Sequence, residues 1–178
     1  NPAHEKAAGA LLKKTGMPVT LSHELLPEFR EYERASTVVM NAYLQPVTSS
    51  YLARLKQRVR GRVFLMQSNG GLASLDRAAR EPVRTVLSGP AGGVIGATKI
   101  AQASAIDRII GFDMGGTSTD VWLVEDEPRT TSEAEVAGLA VRVPMLNIHT
   151  VGAGGGSLAW FDPAGALRVG PRSAGADP

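Results

Sequence analysis

Ile109-Ile110-Gly111-Phe112-Asp113-Met114-Gly115-Gly116-Thr117-Ser118-Thr119-Asp120-Val121-Trp122-Leu123-Val124 runs from apolar residues into a carboxylate, then a glycine pair, three hydroxyl side chains, a second carboxylate and another apolar run. The pattern predicts strand, tight turn, strand. Glycines at the turn permit conformations closed to other residues and let a ligand approach the main chain. Free N–H groups there form an anion-binding concavity, and Thr117, Ser118 and Thr119 add hydroxyl donors. Asp113 and Asp120 repel a phosphate, but a hydrated Mg²⁺ between them would bridge carboxylate and phosphate oxygens. This points to a site for the phosphates of a nucleotide. The competing reading is an ordinary hairpin turn. Such a turn has no need of three hydroxyls between two acids, which favours the phosphate site.

The flanking segments narrow this down. Asp113-Met114-Gly115-Gly116-Thr117-Ser118-Thr119-Asp120 resembles the phosphate motif of the actin, Hsp70 and sugar-kinase superfamily. Ser22-His23-Glu24-Leu25-Leu26-Pro27-Glu28-Phe29-Arg30-Glu31-Tyr32-Glu33-Arg34 resembles the hydantoinase/oxoprolinase A family. So do Gln67-Ser68-Asn69-Gly70-Gly71, Ser88-Gly89-Pro90-Ala91-Gly92-Gly93 and His149-Thr150-Val151-Gly152-Ala153-Gly154-Gly155-Gly156-Ser157. That family includes ATP-dependent N-methylhydantoinase subunits, 5-oxoprolinase and acetone carboxylase subunits. The similarity covers essentially the whole chain.

The resemblance implies an α/β fold, the ribonuclease-H-like half of an actin-like ATPase with a mixed sheet flanked by helices. Residues 1–104 would form a helix-rich part and 105–178 a β-rich part carrying the phosphate loop. It implies ATP and Mg²⁺ as cofactors. Asp113 and Asp120 would hold Mg²⁺ or orient water, and Gly115, Gly116, Thr117, Ser118 and Thr119 would contact phosphate. Gly154, Gly155, Gly156 and Ser157 would line the nucleotide or substrate side. The implied activity is hydrolysis of a cyclic amide or imide activated by phosphorylation, with a larger partner subunit of the hydantoinase B type. A small-molecule kinase, a ketone carboxylase subunit and a non-catalytic assembly module are the alternatives. Family members are longer and carry a second, similar motif upstream that has no copy here. The chain is therefore expected to be a piece of a larger enzyme, inactive alone.

The 178 residues suffice for a real core. With 43% hydrophobic and 20% charged residues the composition is that of a soluble globular protein. The net charge of +2 does not signal nucleic-acid binding. There are no cysteines, which removes disulfide and thiol chemistry. No apolar run reaches the roughly 18 residues of a membrane span, and no signal peptide opens the chain. The default location is cytoplasmic.

Along the chain, Asn1 and Pro2 open a helix with Ala7, Ala8, Leu11 and Leu12 on one face, stopped by Gly16 and Pro18. Val19-Thr20-Leu21 is a short strand candidate. A helical region is expected from Pro27 to about Val59, broken or restarted at Pro46. Phe29, Tyr32, Val38, Val39, Ala42, Tyr43, Val47, Tyr51, Leu52 and Leu55 are its expected packing residues. Its acids and arginines read as a solvated face, or as lying near a subunit contact or substrate cleft. Strands are expected at Arg62–Gln67 and from Leu72, joined by the Asn69-Gly70-Gly71 turn, and at Val83–Leu87. The glycine-rich segment 88–93 reads either as a phosphate loop before a helix or as close packing at Gly92, Gly93 and Gly96. It lacks the Lys-Ser/Thr pair of a Walker A loop. Strands are expected at 130–136, 139–143 and 145–150, and a hairpin over 158–169 turning at Asp162-Pro163-Ala164-Gly165.

Several chemistries are excluded. Residues 152–157 lack the third glycine of a dinucleotide fingerprint, and the flanks are strand-like on both sides. His23-Glu24-Leu25-Leu26-Pro27 has proline where a zinc helix needs its second histidine. No Gly-x-Ser-x-Gly elbow occurs. His149, beside the glycine loop, reads as a proton carrier, a ligand or a satisfied structural histidine.

Overall fold

A computed structural model gives the fold and describes residues 1–136 and 138–175. In chain order the helices and strands are α1 (Ala3–Lys13), α2 (Ser22–Leu25), α3 (Glu31–Arg58), β1 (Phe64–Met66), β2 (Leu72–Ser74), α4 (Leu75–Arg80), α5 (Ser88–Ala103), β3 (Arg108–Met114), β4 (Thr119–Glu125), β5 (Glu127–Pro128), β6 (Thr130–Thr131), β7 (Ala134–Val136), β8 (Leu139–Val141), β9 (Met145–Leu146), β10 (Ile148–Val151), β11 (Ser157–Phe161) and β12 (Leu167–Ser173). This mixture of helices and antiparallel sheets agrees with the expected α/β class. The chain forms two compact units. One holds Asn1–Gly89 and Thr130–Met145, the other Pro90–Arg129 and Leu146–Pro178.

In the first unit α1 starts at Ala3, one residue later than expected, with the Asn1 carboxamide oxygen accepting the Ala3 N–H at 3.0 Å. The expected face of Ala7, Ala8, Leu11 and Leu12 is exposed, while Gly9 is buried. Residues 19–21 form no strand. Leu21 instead precedes α2 and is buried against Gly9 of α1. The long helix starts at Glu31, after Arg30 with a left-handed φ of 72°. It runs through Pro46 without a break. Position 46 has no N–H to give to the carbonyl of Ala42. Buried residues on both sides of the proline, Thr37, Met40 and Asn41 before it and Leu52 after it, outweigh that lost bond.

The expected packing face of α3 holds in part: Leu52 is buried, and Val38 and Leu55 pack against the cores. Phe29, ahead of the helix, and Tyr32, Val39, Tyr43, Val47 and Tyr51 on it are exposed. Two polar residues are fully buried in their place, each tying the helix to other elements. Asn41 donates to Arg80 O at 3.0 Å and to Thr20 Oγ1 at 3.1 Å, and accepts from Val83 N at 3.3 Å. Thr37 donates to Glu33 O and accepts from Arg142 N. A buried amide in place of an apolar side chain is tolerated because every bond it loses to water is replaced.

Val83 therefore does not start a strand. Pro82–Thr85 is a 3₁₀ turn, closed by Thr85 Oγ1 donating to Pro82 O at 2.8 Å and held by Asn41. Val83 joins Leu25, Met40, Val141, Val143 and Met145 in the main core of this unit. A second cluster, Leu52, Ala73, Leu75 and Ala78, packs α3 on the β1–β2 hairpin and α4.

Glu5 of α1 clamps the start of α2. Its carboxylate accepts from the backbone N–H groups of Ser22 and His23 and lies 2.6 Å from His23 Nδ1. Partial burial works to raise its pKa, but the bonds from His23 and Ser22 prevail and hold it at about 2, against an ordinary 4.5. A depressed carboxylate stabilises the fold above its unfolded pKa and loses that contribution as pH falls through the folded one. Glu5→Gln should therefore flatten the loss of stability between pH 4.5 and about 2. Urea midpoints across that window for wild type and variant check it.

In the second unit β3 and β4 pair antiparallel from Arg108–Glu125 to Met114–Thr119, as the central stretch predicts. β10 joins the other edge of β4. Trp122 and Val124 on one face are buried. A side chain at Gly93 of α5 would touch the Trp122 ring at 3.8 Å. The glycine-rich segment is thus not a loop: the helix begins at Ser88 and includes Gly92, Gly93 and Gly96. Of the two readings, close packing holds at Gly93, while Gly92 and Gly96 have open space beside them. The expected hairpin is β11–β12. The Asp162 carboxylate nucleates its turn, accepting from Ala164 N, Ala166 N and Arg168 Nε. The Ala166 N–H and the Arg168 guanidinium hold its pKa below the usual range.

Candidate functional site

β3 ends and β4 begins at a turn of four residues, Gly115–Ser118, closed by Gly115 N–H donating to Ser118 O at 2.9 Å. The register sets Asp113 directly opposite Asp120. Directly opposed residues share one face of a sheet, so the two carboxylates stand side by side. β10 extends the row, with Thr150 opposite Asp120 and its hydroxyl donating to Asp120 Oδ1 at 2.6 Å. Two like charges in direct opposition cost stability unless a cation lies between them. Asp113 is exposed and Asp120 half-buried, so both are within reach of a ligand.

Among the described residues the N–H groups of Gly116, Thr117 and Ser118 have no backbone acceptor. Three consecutive free donors on a glycine turn form the kind of concavity that receives an anion. Thr117 is exposed and Ser118 half-buried. Thr119 differs from them. It is 5% exposed, and its hydroxyl donates to Ala153 O at 2.6 Å. That hydroxyl ties the hairpin to the glycine loop instead of facing solvent.

The glycine loop lies against the hairpin. Gly155 N–H donates to Gly115 O at 2.9 Å and Gly156 N–H to Gly116 O at 2.8 Å. Gly154 N–H donates to Ser157 Oγ at 2.8 Å. The loop's three glycine N–H groups are therefore all engaged. Those of Gly155 and Gly156 hold the hairpin's carbonyls and that of Gly154 closes the loop on Ser157, which leaves the N–H groups of Gly116, Thr117 and Ser118 as the free donors. The fit admits no side chain at Gly154, where a Cβ would lie 2.5 Å from Gly115 O and 2.8 Å from both Gly116 C and Ser118 N.

The structure thus brings together Asp113, Asp120, Gly115–Thr119 and Gly154–Ser157, all within one compact unit. His149 stands opposite Val121, one position out of phase with Thr150, and so on the other face from the carboxylates. Sequence reasoning missed Thr150 as the partner of Asp120 and Ala153 O as the partner of Thr119. Both depend on β10 pairing with β4 across an excursion of some twenty residues, for which the sequence carries no local signal.

Residues 34–178 match the family described as Hydantoinase/oxoprolinase. The chain is 40% identical over 187 residues to caprolactamase subunit alpha of Pseudomonas jessenii, covering 100% of this chain and 27% of that protein. It is 41% identical over 184 residues to 5-oxoprolinase 1 of Arabidopsis thaliana, covering 99% of this chain and 14% of that protein. It superposes on the crystal structure of ATP-dependent caprolactamase from Pseudomonas jessenii with a TM-score of 0.85 and 39% identity, over 100% of this chain and 27% of that one. The chain spans less than a third of the length of each of these relatives. With four motifs in order and a match over most of its residues, the chain belongs to the hydantoinase/oxoprolinase family.

Proposed function

We propose that this chain is part of an ATP-dependent hydrolase of cyclic amides, and that the β3–β4 hairpin receives the nucleotide's phosphates. The observation that carries this reading is the opposed pair Asp113 and Asp120 beside a turn with three free N–H groups. Cyclic amides are the substrates named in caprolactamase and 5-oxoprolinase, and the caprolactamase structure is of an ATP-dependent enzyme.

The donor set fits Mg²⁺. One or two carboxylates with water and phosphate oxygens completing the shell is the usual pattern for this ion. Asp113 and Asp120 would hold it, and it would supply charge neutralisation between carboxylates and phosphates. Gly116, Thr117 and Ser118 N–H groups would cradle a phosphate, with the Thr117 and Ser118 hydroxyls beside them. Thr150 would fix the rotamer of Asp120. Gly154–Ser157 would line the same end of the site, acting on the phosphates by holding the hairpin's shape. Phosphorylation of the amide oxygen would make the ring carbon electrophilic and let water open the ring. Catalysis of that kind is mostly positioning and charge stabilisation. A larger partner subunit of the hydantoinase B type would complete the chemistry, in keeping with the relative named as a subunit alpha.

The test is an assay of the full-length protein with its partner subunit, Mg-ATP and either 5-oxoproline or caprolactam. The expected result is ring-opened acid formed in step with ADP. Accumulation of a phosphorylated small molecule with no ring opening would overturn the hydrolase reading in favour of a kinase.

A further inference from the structure

We propose that the cavity beside the Asn69-Gly70-Gly71 turn binds a small carboxylate. The cavity measures about 180 Å³ and is lined by Gln67, Asn69, Arg77, Arg84 and Pro144. This volume lies below the roughly 300–1,000 Å³ of drug-sized ligand sites, so the occupant has only a few heavy atoms.

Two guanidiniums and two carboxamides line one small space, and a single carboxylate partly balances them. Arg84 Nε donates to Glu81 Oε2 at 2.6 Å, and Arg77 Nε lies 3.7 Å from the same oxygen. One positive charge is left over. The Arg84 side chain is only 22% exposed, and its NH2 nitrogen donates to Leu25 O at 2.9 Å. Its NH1 nitrogen has no partner among the described residues. The guanidinium is thus fixed in place with a donor to spare.

The turn is tied to the same arginine. Ser68 is buried, and both its N–H and its hydroxyl donate to Arg84 O, at 2.7 and 2.8 Å. Asn69 Oδ1 accepts from Gly71 N–H at 2.9 Å, which occupies its acceptor and leaves its amide nitrogen as a donor. Gly70 has a left-handed φ of 81°. A side chain at Gly71 would come within 3.0 Å of Asn69 Oδ1 and 3.5 Å of Gln67 Oε1, so glycine there keeps both amides at the rim. Planar N–H donors around an excess positive charge match a planar anion that accepts in pairs, which is a carboxylate. The site is independent of the phosphate reading.

The test titrates acetate, acetamide and inorganic phosphate into the ¹⁵N-labelled full chain and follows the amides of Asn69, Gly70 and Gly71 and the Nε–H of Arg84. Acetate should give saturable shifts, and acetamide should bind about tenfold more weakly, the value of one charge-assisted bond. Arg77→Gln should weaken acetate by a similar factor while leaving the urea midpoint in place, and Arg77→Lys should retain part of the affinity. Absence of saturation, equal binding of acetamide, tighter binding of phosphate than of acetate, or unchanged affinity in a folded Arg77→Gln protein would each overturn the proposal.

Discussion

Gly154→Ala should cost this protein both stability and nucleotide affinity, although it adds one methyl group. The φ of Gly154 lies outside the left-handed region, so the backbone itself would accept alanine. Space is what forbids it. The new Cβ would meet Gly115 O, Gly116 C and Ser118 N, all main-chain atoms that cannot swing aside. The loop must then lift away from the hairpin, stretching or breaking the Gly155–Gly115 and Gly156–Gly116 hydrogen bonds and the Thr119–Ala153 tie. Loss of two to three bonds at about 1 kcal/mol each, with added strain, predicts about 2–4 kcal/mol of destabilisation. The freed hairpin would also lose the shape that presents its N–H groups, so Mg-ATP affinity should fall at least about tenfold. Urea unfolding and nucleotide titration on the same variant separate the two effects. Wild-type stability in Gly154→Ala would refute the buttressing role of the loop.

Gly111→Ala should have the larger effect on stability alone. Gly111 pairs with Trp122 across β3 and β4, and the indole lies over the glycine. A Cβ there would fall inside the ring, on Cε2, Cζ2 and Nε1. Trp122 is 7% exposed and meets α5 near Gly93, so it has no room to retreat. Expelling it would empty the buried face of the sheet, at a cost of about 3–5 kcal/mol, in the range of buried aromatic deletions. The double variant Gly111→Ala, Trp122→Leu gives the check. If the collision is the cause, the glycine substitution should cost little in the leucine background. An equal cost in both backgrounds would place the damage elsewhere.

These two glycines show where the sequence was legible and where it was not. The strand–turn–strand reading of residues 109–124 rests on local pattern, and so does the hairpin turning at Asp162. Local chemistry decides both, through apolar runs that end in glycine or in Asp-Pro-Ala-Gly. The carboxylates and turn donors of the candidate site come together for the same reason, because all lie within eight consecutive residues of that hairpin. Gly154 could be read as part of a loop but not as a buttress, since its contact depends on a packing distance that no pattern encodes. Thr150 became a partner of Asp120 only through the pairing of non-consecutive strands. The helix face of α3 misled for a different reason. Its aromatic residues are exposed, and beside Met40 and the expected Leu52 it buries Thr37 and Asn41, each of which bonds to a distant backbone atom. Hydrophobic periodicity cannot find a buried carboxamide, and the same carboxamide accepts the Val83 N–H of the segment that forms a 3₁₀ turn where a strand was expected.

Asp113 and Asp120 are proposed to form a cation site beside a phosphate-binding turn. Titration calorimetry of ATP into wild type and Asp113→Asn, with Mg²⁺ and then with EDTA, tests it most directly. With Mg²⁺ the wild-type protein should bind saturably and the variant should lose at least about a hundredfold in affinity, as expected when a charged ligand of the ion is removed. With EDTA the order should reverse, because the variant has one fewer negative charge facing the phosphates. Equal Mg-ATP affinity in wild type and Asp113→Asn would contradict the claim.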